Sequence, residues 1–130
     1  MFSDFNFRKT IALPAAAATA YTPSLDLGSA IPGPIGSAIR MRISCPATPA
    51  LVDAKTIIFN LQHSIDNATF VNVPTTGNMS TIGASSAGAA AVQFDFFLPP
   101  IINRYIRASA TVLTGGGDNT GVSFALEGLL

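Results

Sequence analysis

Charge is scarce in this sequence. Only 11% of its 130 residues are charged, seven basic and seven acidic, and Glu127 is the only glutamate. An average soluble domain has about a quarter of its residues charged. Two interpretations of this shortage stay open: Ser, Thr and Asn solvate the surface in place of charge, or much of the surface lies in a permanent interface, whose core is poor in charge.

The balance of charge also bears on partners. The formal net charge is zero, and the basic residues occur singly or in pairs along the chain. Nucleic-acid binding depends on clustered Lys and Arg that neutralise phosphates. We therefore expect no nucleic-acid partner.

Cysteine, histidine and tryptophan are nearly missing. One Cys, one His and no Trp exclude an internal disulfide and a zinc cluster, so no metal or cofactor is expected. Cys45 precedes Pro46 and is expected to be a small buried hydrophobe. His63 shares a predicted strand face with Phe59 and Leu61, which predicts a partly buried, hydrogen-bonded imidazole. No nucleophile–base signature or marked carboxylate pair accompanies it, so no enzyme activity is expected.

Long apolar runs are missing too. No stretch reaches 18 apolar residues, so the sequence predicts no membrane-spanning helix and no membrane partner. Arg8 and Lys9 precede an alanine-rich stretch that imitates a signal peptide. Because Pro14 interrupts that stretch and Asp4 lies in its leader, we do not expect it to direct secretion.

What the sequence does have is two-residue alternation of apolar and polar side chains. Strong alternation predicts strands over residues 38–44, 56–65, 92–98, 106–112 and 122–126, and weaker signals mark 24–27, 69–73 and 78–83. The last two strong strands flank the Gly-rich turn at 115–119 and are expected to form a hairpin. With no helical period, the pattern predicts an all-β antiparallel jelly roll or β-sandwich of about eight strands.

The N-terminal residues lack this alternation. Residues 1–20 carry Phe2, Phe5 and Phe7 and are expected to form an extended N-terminal arm that packs on something and contributes to neither sheet. Residues 21–130 are expected to form a single jelly-roll domain, since this length can bury a core of its own.

Two arginine pairs and one aromatic ring are the candidate interface residues. Arg40 with Arg42, and Arg104 with Arg107, lie on predicted sheet faces. Either each pair is neutralised by Asp95 or Asp53 on a neighbouring strand, or the guanidinium groups dock acidic or carbonyl groups of a partner. Phe97 falls on the polar side of its strand and is a candidate contact in the same interface. The full candidate set is Arg40, Arg42, Phe97, Arg104 and Arg107, with Phe2, Phe5 and Phe7 of the arm.

Three segments carry a resemblance to a known group. Residues 98–107 read LPPIINRYIR and precede a small-residue strand, a Gly-rich turn and a closing strand. Residues 25–28 read LDLG, and residues 61–70 read LQHSIDNATF, a strand running into a polar turn closed by Phe. In order and spacing, from about residue 25 to the C-terminus, the chain resembles the small capsid cement proteins of short-tailed bacteriophages. The stretch 84–91 and the aromatic arm have no counterpart in that pattern.

The resemblance implies a non-enzymatic jelly-roll subunit on the outside of a phage shell. Its implied partners are the major capsid protein of a tailed phage, whose neighbouring subunits it bridges, and further copies of itself, as a dimer or trimer on a capsid symmetry axis. The implied location is the outer capsid surface of the virion, after synthesis in the host cytoplasm. The alternative function is a virion-surface module that binds carbohydrate or a receptor. Such sites usually stack sugar on exposed aromatic rings, and with no Trp and only Tyr21 and Tyr105 the chain is poorly equipped for this.

Overall fold

The computed structural model describes residues 8–27, 40–73, 79–98 and 102–128, which form two antiparallel sheets and no α-helix. The strands of these ranges, in chain order, are β1 (Arg8–Ala12), β2 (Ala18–Tyr21), β3 (Leu25–Asp26), β4 (Arg40–Cys45), β5 (Thr56–Ser64), β6 (Val71–Asn72), β7 (Met79–Ile82), β8 (Val92–Phe97), β9 (Tyr105–Val112) and β10 (Ser123–Gly128). The predicted all-β sandwich is confirmed.

The two sheets differ in size and regularity. The smaller sheet has the order β1-β10-β4-β8, and the larger sheet has the order β2-β9-β5-β6, with β3 added to β9 and β7 added to β5. β5 and β9 form the centre of the larger sheet and pair without interruption from Ile57↔Val112 to Ser64↔Tyr105. β5 is long enough to pair with β7 over its first half and with β6 near its end.

Alternation along the strands builds the core between the sheets. β5 buries Ile57, Phe59 and Leu61 and turns the residues between them outward. The Phe59 ring centroid lies 5.9 Å from that of Phe94 and 5.8 Å from that of Phe124, so aromatic contacts join the two sheets. Each large apolar side chain buried in this way stabilises the fold by about 1.5–3 kcal/mol relative to an exposed one.

The prediction of an N-terminal arm over residues 1–20 is wrong where it can be compared. Arg8–Ala12 is an edge strand paired with β10, and Ala18–Tyr21 is a strand paired with β9. In β1 the half-buried positions hold Lys9 and Ile11, and the inward lysine hides the alternation. These two strands raise the number from the expected eight or so to ten. Phe2, Phe5 and Phe7 lie outside the described residues.

Two further expectations fail at strand ends. β9 and β10 do not form a hairpin, because β9 lies in the larger sheet and β10 in the smaller one. The glycine-rich segment at 115–117 therefore crosses between the sheets. The alternation of the predicted strand 56–65 places Ile65 on the same side as the core residues Ile57, Phe59 and Leu61, but Ile65 is 78% exposed. The reason is that β5 ends at Ser64 and the chain turns at Asp66, whose carboxylate accepts hydrogen bonds from the backbone N–H groups of Ala68 and Thr69.

Candidate functional site

A row of alternating charges crosses the outer face of the smaller sheet. The strand register places Arg8, Glu127, Arg42 and Asp95 side by side on β1, β10, β4 and β8. Each cation therefore has an anion on a neighbouring strand, which is a favourable cross-strand arrangement. The contact from Arg8 Nε to Glu127 Oε2 is loose, at 3.8 Å. Such exposed pairs contribute little to stability, so the row mainly sets the polarity of this face.

Asp95 holds the two arginines of β4. Arg42 Nε donates to Asp95 Oδ1 at 2.7 Å, Arg42 Nη2 donates to Oδ2 at 3.0 Å, and Arg40 Nη2 donates to Oδ2 at 3.2 Å. The hydrogen bonds from Arg42 lower the pKa of Asp95, and the same contact raises the pKa of Arg42. Of the two interpretations drawn from sequence, cross-strand pairing with Asp95 is the one found. Asp53 instead accepts the backbone N–H of Ser86.

Phe97 lies on the same face as this row. It is opposite Arg40 in the register of β8 and β4, and its side chain is 56% exposed, whereas the preceding Phe96 is 7% exposed. The expectation that Phe97 occupies the polar side of its strand is confirmed. A large ring exposed beside paired arginines gives this face a compact apolar spot in a charged surrounding.

The outer face of the larger sheet holds a different arrangement, centred on Arg107 of β9. The guanidinium carbon of Arg107 lies 4.0 Å from the centroid of the Tyr21 ring and 3.9 Å from that of the Phe70 ring. Arg107 Nε donates to Gln62 Oε1 at 2.8 Å, and Gln62 Nε2 donates to Asn72 Oδ1 at 2.9 Å. Cation–π attraction to the two rings and the hydrogen bond to the Gln62 amide hold the guanidinium in place. We call Arg107, Tyr21, Phe70 and Gln62 the Arg107 clamp.

Arg107 differs from the neighbouring Arg104 in its counter-ion. Arg104 Nε and Nη2 donate to the two carboxylate oxygens of Asp26, at 2.7 and 2.9 Å. No carboxylate of residues 8–27, 40–73, 79–98 or 102–128 lies within 4.0 Å of Arg107. Partial burial lowers the pKa of Arg107, yet a guanidinium stays protonated in proteins. The clamp therefore holds a half-buried positive charge that no acidic group in these ranges neutralises.

Exposed apolar side chains continue along the same face. Ile58, Ile82 and Leu113 are 36%, 56% and 40% exposed, and we call them the Ile58 patch. The register sets Ile82 beside Thr56, whose carbonyl accepts the Leu113 N–H at 3.1 Å. Thr56, Ile58, Ser80 and Leu113 line an open depression of about 280 Å³. Single exposed apolar residues are ordinary, but several neighbouring ones on one face of a sheet indicate a contact surface.

The predicted interface residues are divided between opposite sides of the sandwich. Arg40, Arg42 and Phe97 belong to the smaller sheet. Arg107 belongs to β9 of the larger sheet, and Arg104 directly precedes that strand. One flat partner surface cannot contact both groups together. The remaining three candidates, Phe2, Phe5 and Phe7, lie outside the part of the chain that the structure describes.

His63 and Cys45 have structural surroundings. The Asn103 backbone N–H donates to His63 Nδ1 at 3.1 Å, and burial lowers the pKa of the imidazole below its usual 6.5, which confirms the expected hydrogen-bonded histidine. Cys45 is buried, and this burial raises the pKa of its thiol to about 11. In the described ranges, no three His, Cys, Asp or Glu side chains are grouped to hold a metal ion. The same ranges hold no helix that is long and apolar enough to cross a membrane.

The partners of Arg107 in the clamp were not predicted from sequence. Gln62 and Arg107 both occupy polar positions in strands where apolar and polar residues alternate, and the pairing of β5 with β9 places them side by side. Tyr21 reaches Arg107 because β2 pairs with the other edge of β9, and Phe70 follows the turn after β5. Alternation marks the outward residues of each strand, but which strands become neighbours is a property of the whole fold.

Two antiparallel sheets packed over an apolar interior, with outer faces of different chemistry, define a β-sandwich protein. Within that class the family is known: the Bbp16 family model matches residues 8–125, and the chain belongs to the Bbp16 family. No curated protein sequence matches the chain.

Several solved structures align with the chain at low sequence identity. The crystal structure of PirA is 7% identical with a TM-score of 0.47, and the alignment covers 99% of each chain. The module CBM32-3 from a family 31 glycoside hydrolase of Clostridium perfringens is 12% identical with a TM-score of 0.47, over 98% of this chain and 78% of the module. The N-terminal cellulose-binding domain of β-1,4-glucanase C from Cellulomonas fimi is 13% identical with a TM-score of 0.40, over 91% and 72%. At these values the likeness does not extend to any particular site.

Proposed function

We propose that this chain is a structural virion protein: a capsid cement protein that binds the outer surface of an assembled phage shell and bridges neighbouring major capsid protein subunits. One observation carries the proposal. Large apolar side chains are exposed on the outer faces of both sheets, Phe97 on the smaller and the Ile58 patch on the larger, in a chain with only 11% charge. A bridging protein needs two separate contact surfaces, and these faces are suited to that role.

The size of the molecule is compatible with two contacts. A standard protein interface covers about 800 Å² on each partner. Two such contacts would take about a quarter of the 6576 Å² accessible surface of this chain. The resemblance of the LPPIINRYIR segment and its companions to capsid cement proteins of short-tailed phages supports the same function.

The proposed mechanism is thermodynamic linkage. A protein that binds the assembled lattice, and not free subunits, lowers the free energy of the shell at each occupied site. Further copies of the chain, joined as a dimer or trimer on a capsid symmetry axis, would engage several capsid subunits at once and gain avidity from modest single contacts. In this proposal the protein works at the outer capsid surface and catalyses no reaction.

Co-sedimentation tests the proposal. Purified protein is mixed with expanded phage shells that lack it, and separately with unexpanded precursor shells, and each mixture is centrifuged. We expect the protein to pellet with expanded shells and to stay in solution with precursors. Failure to bind either kind of shell contradicts the proposal.

A second candidate, a virion-surface module that binds carbohydrate or a receptor, is favoured by one observation. Tyr21 and Phe70 lie beside the planar polar groups of Gln62 and Arg107, and sugar sites combine aromatic rings with such groups. Arg107 already covers one face of each ring, which reduces the surface left for stacking. A glycan array separates the candidates, because specific glycan binding without shell binding would favour this one.

A further inference from the structure

We propose that the Arg107 clamp receives a carboxylate of the partner protein, an Asp or Glu side chain of the capsid, and that the outer face of the larger sheet therefore makes one of the two contacts of the bridge. The inference rests on the proposed function, which it deepens by naming the contact surface and the chemistry of the partner. It separates this face from the smaller sheet, where the arginines of β4 are already paired with Asp95.

The geometry of the clamp selects the ligand. The rings of Tyr21 and Phe70 both pack against the guanidinium, and Gln62 occupies Nε. The remaining donors are the in-plane N–H groups of Nη1 and Nη2, and no acceptor in the described ranges bonds to them. Two in-plane N–H donors match the two oxygens of a carboxylate. The clamp therefore favours a planar monoanion that approaches along the guanidinium plane.

The clamp is also organised before any partner arrives. Gln62, which holds Arg107, is itself held by Asn72 across β5 and β6. The usual entropic cost of fixing a long arginine side chain is then largely met within the fold. A half-buried cation that lacks a counter-ion has already lost part of its hydration, so a carboxylate that joins it gains more than it would at a fully exposed lysine.

The rest of the face indicates a protein partner. Gln62 and Ile58 lie four residues apart on β5, which places the Ile58 patch about 13 Å from the clamp at 3.3 Å per residue. A protein surface with one acidic side chain and one apolar area would satisfy both. Nucleic acid would need several unpaired cations in a row, whereas the nearby Arg104 is paired with Asp26. A free small anion would not use the apolar patch.

Titration of expanded shells with the full-length protein and three variants tests the inference. Arg107→Gln removes the cation, Arg107→Lys keeps the charge without the planar fork, and Arg8→Gln removes the same charge from the opposite face. We expect affinity for shells to fall about tenfold or more for Arg107→Gln, to fall less for Arg107→Lys, and to stay within about twofold of the wild type for Arg8→Gln. Thermal unfolding of each variant establishes that it is folded.

A second measurement keeps the test decisive if Arg107→Gln does not fold. Carboxylates on the shells are converted to amides with a carbodiimide and glycinamide, and binding is measured again with wild type and Arg107→Lys. We expect amidation to lower wild-type affinity about tenfold or more, and to lower the affinity of Arg107→Lys by a smaller factor, because the lysine ammonium attracts the same carboxylate without the planar fork.

The other possible outcomes contradict either this inference alone or the proposed function as well. If both Arg107 variants bind shells as tightly as the wild type, and amidation of the shells does not change wild-type affinity, the inference is contradicted and the proposed cement function is not. Arg107-dependent binding to acidic glycans on an array, with none to shells, replaces the protein partner by a saccharide. No wild-type binding to expanded shells overturns the proposed function and this inference together.

Discussion

Arg42 and Asp95 are joined across β4 and β8 by two hydrogen bonds, Nε to Oδ1 at 2.7 Å and Nη2 to Oδ2 at 3.0 Å. Asp95 also accepts from Arg40, so one carboxylate binds two guanidinium groups, and this group of three side chains keeps one net positive charge. The pairing explains why arginines that look free in the sequence need no partner to be stable here.

Replacing Asp95 by Asn tests this relationship. The folded-state pKa of Asp95 is lowered mainly by its hydrogen bonds from Arg42, so its stabilising effect is present above the ordinary value of 3.8 and is lost as pH falls through the lower folded value. We expect Asp95→Asn to lower the urea midpoint slightly at neutral pH, less so at high salt, and not below the folded pKa. An equal effect at every pH contradicts the assignment.

Phe97 and Phe96 are neighbours on opposite sides of one strand and provide a matched pair. Phe97→Ser removes an exposed ring and is expected to change the free energy of unfolding by less than about 1 kcal/mol, while weakening shell binding by about tenfold. Phe96→Ser removes a buried ring and is expected to cost about 3–5 kcal/mol. Denaturant unfolding and shell titration measure the two effects. A Phe97→Ser variant that unfolds shows that its side chain has been placed on the wrong face.

Gly88 closes a loop against Thr48 and Pro49 with a φ of +74°, and a Cβ there would meet the Thr48 carbonyl oxygen at 2.0 Å. Gly88→Ala is therefore expected to destabilise the fold by about 3 kcal/mol through backbone strain and steric overlap. Gly121 has nothing within 4 Å of such a Cβ, and Gly121→Ala is the control, expected to lie within about 1 kcal/mol of the wild type. Equal effects in urea unfolding would refute the close contact.

His63 is the only histidine in the chain, which makes its titration simple to follow by NMR. Burial lowers its pKa below 6.5, so the unfolded state takes up the proton first. The free energy of unfolding should therefore show no loss from His63 above pH 6.5, and it should fall as pH drops from 6.5 through the folded pKa. His63→Gln should flatten this slope. A measured pKa at or above 6.5 contradicts the buried acceptor role of Nδ1.

The sequence was a good guide to strands and a poor guide to their neighbours. Alternation in residues 56–65 predicts β5 because one face of that strand must be apolar. The same criterion does not predict β1, because Lys9 takes an inward position of this edge strand. The glycines at 115–117 predict a turn, but whether the chain then continues in the same sheet or in the other one depends on long-range packing.

The same limit explains the outcome for the candidate site. Arg42 and Arg107 both occupy polar positions of their strands, so sequence alone treats them alike. Sheet topology gives Arg42 an acidic neighbour on β8 and gives Arg107 a Tyr from β2 and an amide from β5. Pairing between strands of a sheet brings together residues that are distant in sequence. The pattern of residues within one strand therefore does not predict which residues of other strands will be its neighbours.

A cryo-EM reconstruction of expanded phage shells saturated with this protein tests the bridging role most directly. We predict sandwich-shaped density on the outer surface over the boundary between neighbouring capsid subunits, with the outer face of the larger sheet against one of these subunits and Arg107 against an acidic side chain of that subunit. Density confined to a single capsid subunit, or no added density at saturating protein, would contradict the account.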